Sequence, residues 1–272
     1  MNVTMVGRLG DCVLLAYRTS MESVRHLVPP ALELVTRDGD AFWNVVACRI
    51  DAMRPRGVPQ ILGLSYHHVA YRLYVRARTA DGEAIDGLYF VRSDADRTPL
   101  VWAGNVFSEF RFNRAAIKIA CDDTRVDVRV RPKDGAEGAL SVRSSARAPA
   151  MPHLLRYRPV ALSCDSSQRW LKLAEVVRDE SAWREFPVEV LEAKWTYLVD
   201  QLAQEDLRLV AATRVAPIDY VWKLGRRVPL AAPPVAPAAA QSTSAGASAS
   251  FPACSTTSVS YTHLTLPTNR EV

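Results

Sequence analysis

Tyr66, His68, Arg72 and Tyr74 recur at even spacing along one stretch, YHHVAYRLYV, with Ala70 between them. In an extended strand successive side chains point to opposite faces, so these five share one face. His67, Val69, Tyr71, Leu73 and Val75 share the other, which reads as ordinary sheet packing. The first face sets an imidazole, a guanidinium and two phenols in a row, an arrangement costly to bury without partners. Polar residues on one strand face ordinarily mean solvent. The other reading is a wet or liganded cavity, where an imidazole would act as acid, base or hydrogen-bond donor. His67 and His68 point apart and cannot chelate one metal together, and no His/Cys spacing elsewhere forms a metal site.

Around this stretch lie further candidates. Arg54-Pro-Arg-Gly-Val-Pro59 precedes it, stiffened by its prolines, with Gly57 free to take a positive φ. Arg54 and Arg56 would steer anions from a rim over a barrel mouth, or simply stand solvated on a rigid connection. Asp94 and Asp96, two residues apart, would share a strand face and act as a couple; before Arg97-Thr-Pro99 they read better as turn residues capping amides. The six tryptophans read as core, with Trp43 and Trp102 placed near the candidate cavity.

The elements that must position these groups follow from alternation and turn chemistry. Apolar or alternating strands are expected at 12–18, 32–35, 42–50, 66–78, 84–93, 100–107, 115–121, 124–130, 140–145, 169–177, 188–199, 207–214 and 218–224. A short helix after Thr19 or Ser20, with Glu22 in its first turn, ends at Pro29-Pro30. About a dozen short strands with one or two short helices predict a mostly β fold: an antiparallel barrel, closed or partly closed. No βαβ rhythm appears, which excludes a Rossmann-type sheet.

Composition narrows the classes. With 49% hydrophobic and 23% charged residues, the 272-residue chain can bury a proper core. Its net charge of +5 is spread among acids rather than gathered on a helix, so nucleic acid is not an expected partner. No 18-residue apolar run or signal peptide is present, and membrane association is not expected. Five scattered cysteines without a CxxC pair point to a reducing, cytoplasmic setting rather than to disulfides or zinc. Gly-rich phosphate loops, GxSxG and HExxH are missing, so neither cofactor nor metal is expected. Residues 1–230 read as one domain. From residue 231 the Ala/Pro/Ser/Thr-rich tail reads as disordered. Its end, through residue 272, resembles translated sequencing-adapter DNA, in which case the true C-terminus is missing.

The opening VLLAYRTSMESVRHLVPPALEL resembles the start of acetoacetate decarboxylases. The pieces RPRGVP, YHHVAYRLYV, GLYFVRSDAD and the stretch through Phe107 are similar to the DUF2071 (YqjF-like) family, held to share that barrel. The resemblance is good from about Gly7 to Ala120 and thins from Leu140 to Pro229.

The resemblance implies a barrel of the acetoacetate decarboxylase-like type, and it also implies lost chemistry. In that enzyme a lysine forms a Schiff base; here its position falls on Phe110 or Arg111, and arginine stays protonated. Two pocket glutamates correspond to Asn44 and His68, and the pocket arginine falls near Gly10, with Arg8 the nearest substitute. Acetoacetate decarboxylase activity is therefore not expected. The DUF2071 strand pattern F-x-E-x-N-x-R-T-Y-V survives here in Arg72 and Tyr74-Val75, while Glu and Asn become His68 and Ala70. A retained arginine favours the cavity reading. On it, Asn44, Tyr66, Tyr74 and Arg111 join Arg72 around a small anionic or carbonyl-bearing organic ligand, with Arg54 and Arg56 at the rim. Two alternatives stand beside it. One is lyase, isomerase or hydrolase chemistry at His68 and Arg72; the other is a non-catalytic protein-interaction module. A homo-oligomer is left open.

Overall fold

A computed structural model describes residues 3–156, 158–202 and 207–231. They belong to a compact unit spanning Met1–Pro234, and the tail from residue 232 lies outside the described residues. Fourteen strands are joined in one sheet: β1 (Val3–Ser20), β2 (Leu32–Leu34), β3 (Thr36–Arg37), β4 (Asp40–Pro55), β5 (Leu64–Arg78), β6 (Ala84–Ala95), β7 (Phe112–Cys121), β8 (Arg125–Pro132), β9 (Gly138–Ser144), β10 (Val160–Cys164), β11 (Trp170–Arg178), β12 (Glu185–Trp195), β13 (Arg208–Val215) and β14 (Ile218–Pro229). Three α-helices are described: α1 (Met21–Arg25), α2 (Thr98–Phe107) and α3 (Thr196–Gln201).

The sheet closes on itself twice. One ring runs β1–β4–β5–β6–β10–β11–β14 and back to β1. The other runs β1–β4–β5–β6–β7–β8–β9–β12–β13 and back to β1. The expected mostly β barrel is present, then, as two rings sharing a four-stranded wall. Pairing is antiparallel except where β6 meets β7 and β10.

Alternation along the wall splits its side chains between two cores. Val13, Leu15, Trp43, Val45, Val69 and Leu73 enter one, closed by Val128, Leu140 and Trp195. Leu14, Val46, Ile50, Ala70 and Tyr74 enter the other, with Phe90, Tyr220 and Trp222. Both faces of β1, β4 and β5 are thus buried, and the centres of β1 and β4 read as long, largely apolar runs for that reason.

The expected strand at 100–107 is a helix. Thr98-Pro99 begins α2 with Pro in its first turn, a position where proline's missing N–H is harmless. The apolar run LVWAGNVF misled because no residue of α2 is buried: Trp102, Val106 and Phe107 are 67%, 57% and 58% exposed. Gly104 lets the helix lie on β7, since a Cβ there would meet the Phe112 ring at 2.3 Å. The helix after Ser20 is present as α1 with Glu22 in its first turn, although no side chain caps it.

Candidate functional site

The candidate site lies inside the β10–β11–β14 ring, on the even face of the shared wall. Strand register fixes it in rows. Cys12, Cys48 and His68 are direct cross-strand partners on β1, β4 and β5. Two steps along, Leu14, Val46 and Ala70 form an apolar row. Two further on come Ala16, Asn44, Arg72 and Phe90. The outer ring opposes them with β11 and β14. The concavity between encloses about 540 Å3 of empty space, counted to its open mouth. Its inner part has room for about four water molecules.

Arg72 is buried and anchored by a relay. Its Nη2 donates to Asn44 Oδ1. Asn44 Nδ2 donates to Tyr74 Oη at 2.8 Å, and Tyr74 Oη donates to the Leu155 carbonyl at 2.5 Å. Asn44 and Tyr74 are fully enclosed, and burial pushes the Tyr74 phenol up to about 12, so it stays a neutral donor. The guanidinium also lies 5.4 Å from the Phe90 ring centroid and lines the concavity. His68 is buried there too, its ring 5.3 Å from that of Phe112, and its Nε2 has no hydrogen-bond partner. Tyr66 sits beside it, ring centroids 6.3 Å apart, with burial raising its phenol far above the usual value.

A second guanidinium enters from the opposite wall. Arg178, at the end of β11, stacks on the Trp183 ring at 3.5 Å and donates to Glu180 at 2.9 and 3.2 Å. Trp183 is in turn held by Glu185 at 2.6 Å. Both Arg178 and Trp183 line the concavity. Arg178 reaches the concavity because ring closure brings β11 across from β5.

The structure brings together His68, Arg72, Asn44, Tyr66 and Tyr74 and leaves out three expected arginines. Arg111 is exposed, with φ 53°, and packs on the Tyr89 ring at 5.5 Å, on the other face of the wall. At the Schiff-base position Phe110, not Arg111, turns inward, stacking on Phe90 at 4.3 Å. Arg54 is spent on its own loop, donating to the Val58 and Ala52 carbonyls at 2.9 and 2.8 Å, while Gly57 takes φ +92° as expected. It borders a separate outer depression, and Arg56 is exposed. Arg8 pairs with Asp219 on the surface and does not replace the pocket arginine.

The aspartates form neither a couple nor a turn. Asp94 is a strand residue, buried on the opposite face against Arg92, and burial raises its carboxyl despite that partner. Asp96 binds the amide and Nδ1 of His67 at 2.9 and 2.8 Å. Trp43 belongs to the other core and Trp102 to the surface; the tryptophans at the concavity are Trp183 and Trp222. No cluster of three metal-ligating side chains and no helix able to cross a membrane occur among the described residues.

The Cys12–Cys48 pair escaped sequence reading, though half the signal was there. FWNVVACRI alternates like the next strand, placing Asn44, Val46, Cys48 and Ile50 on one face. Both thiols are free and buried at the concavity. A hydrogen bond from Cys12 holds the Cys48 thiol well below its ordinary value against the opposing effect of burial, and His68 and Arg72 lower it further. Cys12 is raised correspondingly, by the same bond and by burial.

Solved structures of acetoacetate decarboxylase-like proteins share this mostly β fold. The structure matches acetoacetate decarboxylase from Legionella pneumophila with TM-score 0.58 at 12% identity, over 84% of this chain and 87% of the other. An acetoacetate decarboxylase-like enzyme from Sphingomonas wittichii RW1 gives 0.54 at 16%, over 83% and 92%. The enduracididine biosynthesis enzyme MppR, complexed with the condensation product of pyruvate and imidazole 4-carboxaldehyde, gives 0.55 at 14%, over 84% and 89%. Within that fold the chain belongs to the DUF2071 family, an uncharacterized conserved protein family whose model matches residues 7–212. The match extends well into the half where recognisable motifs are thin. No curated protein matches the sequence.

Proposed function

We propose that the protein binds a small carboxylate carrying a carbonyl group in the His68/Arg72 concavity, without forming a Schiff base. One observation carries this reading: the buried guanidiniums of Arg72 and Arg178 enter the same concavity from opposite walls, and the His68 imidazole, on the same strand as Arg72, lines it too. Guanidinium offers planar paired donors that match a carboxylate. The relay through Asn44 and Tyr74 holds Arg72 before any ligand arrives, which lowers the ordering cost of binding. No lysine is among the lining residues, so the amine needed for a Schiff base is not supplied there by the described residues. The small inner space fits two- to four-carbon acids, and the structural neighbour MppR is known in complex with pyruvate. The exposed apolar face of α2 favours, as a second reading, a protein-docking role that leaves the concavity unused.

Titration calorimetry with pyruvate on the full chain tests the proposal. Wild type binds, and Arg72→Met weakens binding by about tenfold or more, the loss of one charge-assisted hydrogen bond. Absence of binding by wild type at millimolar pyruvate, or equal binding by the variant, would overturn it.

A further inference from the structure

Cys12 and Cys48 lie beside His68 in the concavity, and the two thiols have no role in holding a carboxylate. Register alone sets the three groups side by side on three adjacent strands, all on the cavity face. Directly opposed residues of an antiparallel pair have Cβ atoms about 4.5–5.5 Å apart, so two cysteines in that relation bring their sulfurs together. Either thiol alone would read as a small buried hydrophobe. The flanking imidazole, the partner thiol and the opening to a cavity with two guanidiniums change that reading. Cysteine nucleophiles sit in electropositive, partly accessible surroundings beside a base, and this is such a place.

We propose that Cys48 is the nucleophile of this pocket, adding reversibly to the carbonyl carbon of a bound aldehyde or 2-oxo acid. The inference rests on the carboxylate-binding reading above. The Cys48 sulfur forms a bond to the carbonyl carbon, the C=O π pair moves onto oxygen, and that oxygen takes up one proton. The net reaction adds S–H across C=O to give a thiohemiacetal or thiohemiketal; nothing leaves and no electrons are exchanged with an outside reagent. Cys12 stabilises the thiolate by donating its S–H, and His68 is placed to carry the proton to the new hydroxyl. Cys48 thus takes the role that the lysine plays in the related enzyme, from a different strand and without dehydration to an imine.

The Cys12 hydrogen bond, His68 and Arg72 all hold the Cys48 thiol below its ordinary value, against the opposing effect of burial. Cys121 supplies an internal contrast: it is exposed, but burial of its sulfur and the neighbouring Asp11 push its thiol up to about 11. If access alone governed reactivity, Cys121 would react ahead of Cys48.

Two measurements on the full chain separate failure of this inference from failure of the binding proposal. The first is peptide-resolved labelling with iodoacetamide between pH 5.5 and 9. Cys48 is expected to react at pH 6 on the order of tenfold faster than Cys121, with little loss of rate down to pH 6, and Cys12→Ser is expected to slow it several-fold. Labelling of Cys121 ahead of Cys48, or a Cys48 rate that falls about tenfold per pH unit below pH 8, would overturn the inference whether or not pyruvate binds. The second uses glyoxylate carbon-13-labelled at its aldehyde carbon. Wild type is expected to show a bound tetrahedral carbon resonance distinct from free hydrate, retained in Cys121→Ser and lost in Cys48→Ser and in Cys48→Ala. Should glyoxylate compete with pyruvate while no such resonance forms, the carboxylate site stands and the nucleophile is refuted.

Discussion

Leu14 and Leu15, or Val45 and Val46, are neighbours in sequence and inhabit different environments. One step along β1 or β4 carries a side chain from the cavity-bearing core into the dry one. On the odd face the rows are Leu15–Val45–Tyr71 and Tyr17–Trp43–Leu73, closed by Trp195, whose Nε1 donates to Tyr17 Oη at 2.9 Å. Its buried ionic groups, Arg92 and Asp94, pair with each other, and Arg92 also pairs with Asp134. On the even face the rows hold Cys12–Cys48–His68 and Asn44–Arg72, and space remains between them and the opposing strands. A buried guanidinium and imidazole add nothing to stability that an apolar core of the same shape would lack. What they supply is a binding surface with fixed donors, set on a wall made rigid by the packed core behind it.

That contrast can be broken from either side. The largest effect is expected at the dry face: Trp43→Ala should cost about 3–5 kcal/mol in denaturant unfolding, because a fully enclosed ring leaves a cavity the barrel cannot collapse. Asn44→Leu, on the even face, should cost about 2–3 kcal/mol by leaving Arg72 and Tyr74 without their shared partner, and should also weaken pyruvate binding. Stability unchanged by Asn44→Leu would mean the relay is not what holds Arg72. Arg111→Met should change neither stability by more than about 0.5 kcal/mol nor pyruvate affinity, since it is an exposed residue on the other face. Borohydride added with pyruvate should leave the chain unlabelled; a reduced adduct on a lysine would contradict the account of the pocket.

Much of the wall was legible. Alternation over 66–75 put His68 and Arg72 on one face and His67 on the other, and family resemblance tipped that face toward a cavity. The same alternation over 42–50 placed Asn44 correctly and would have placed Cys48 beside it. Cys12 becomes its partner only through the β1–β4 register, which no local pattern encodes. Arg178 was invisible for a similar reason: it shares a concavity with Arg72 only through a ring closed by the β6–β10 and β1–β14 pairings, which no local pattern encodes. Arg111 misled because spacing along the chain does not reveal a left-handed residue; its φ of 53° accompanies Phe110 turned inward and Arg111 turned out. The α2 stretch differs from expectation because apolar content does not imply burial: that helix buries none of its residues. The single domain expected to residue 230 and the expected disordered tail fall partly on residues outside the described ones.

The most direct test of the two-faced wall follows methyl resonances of leucine and valine during a pyruvate titration of the full chain. Leu14 and Val46 line the concavity, while Leu15 and Val45 face the packed core. The account predicts that the Leu14 and Val46 methyls shift with saturation while those of Leu15 and Val45 stay near their starting positions. Equal shifts on both faces, or shifts confined to Leu15 and Val45, would contradict it.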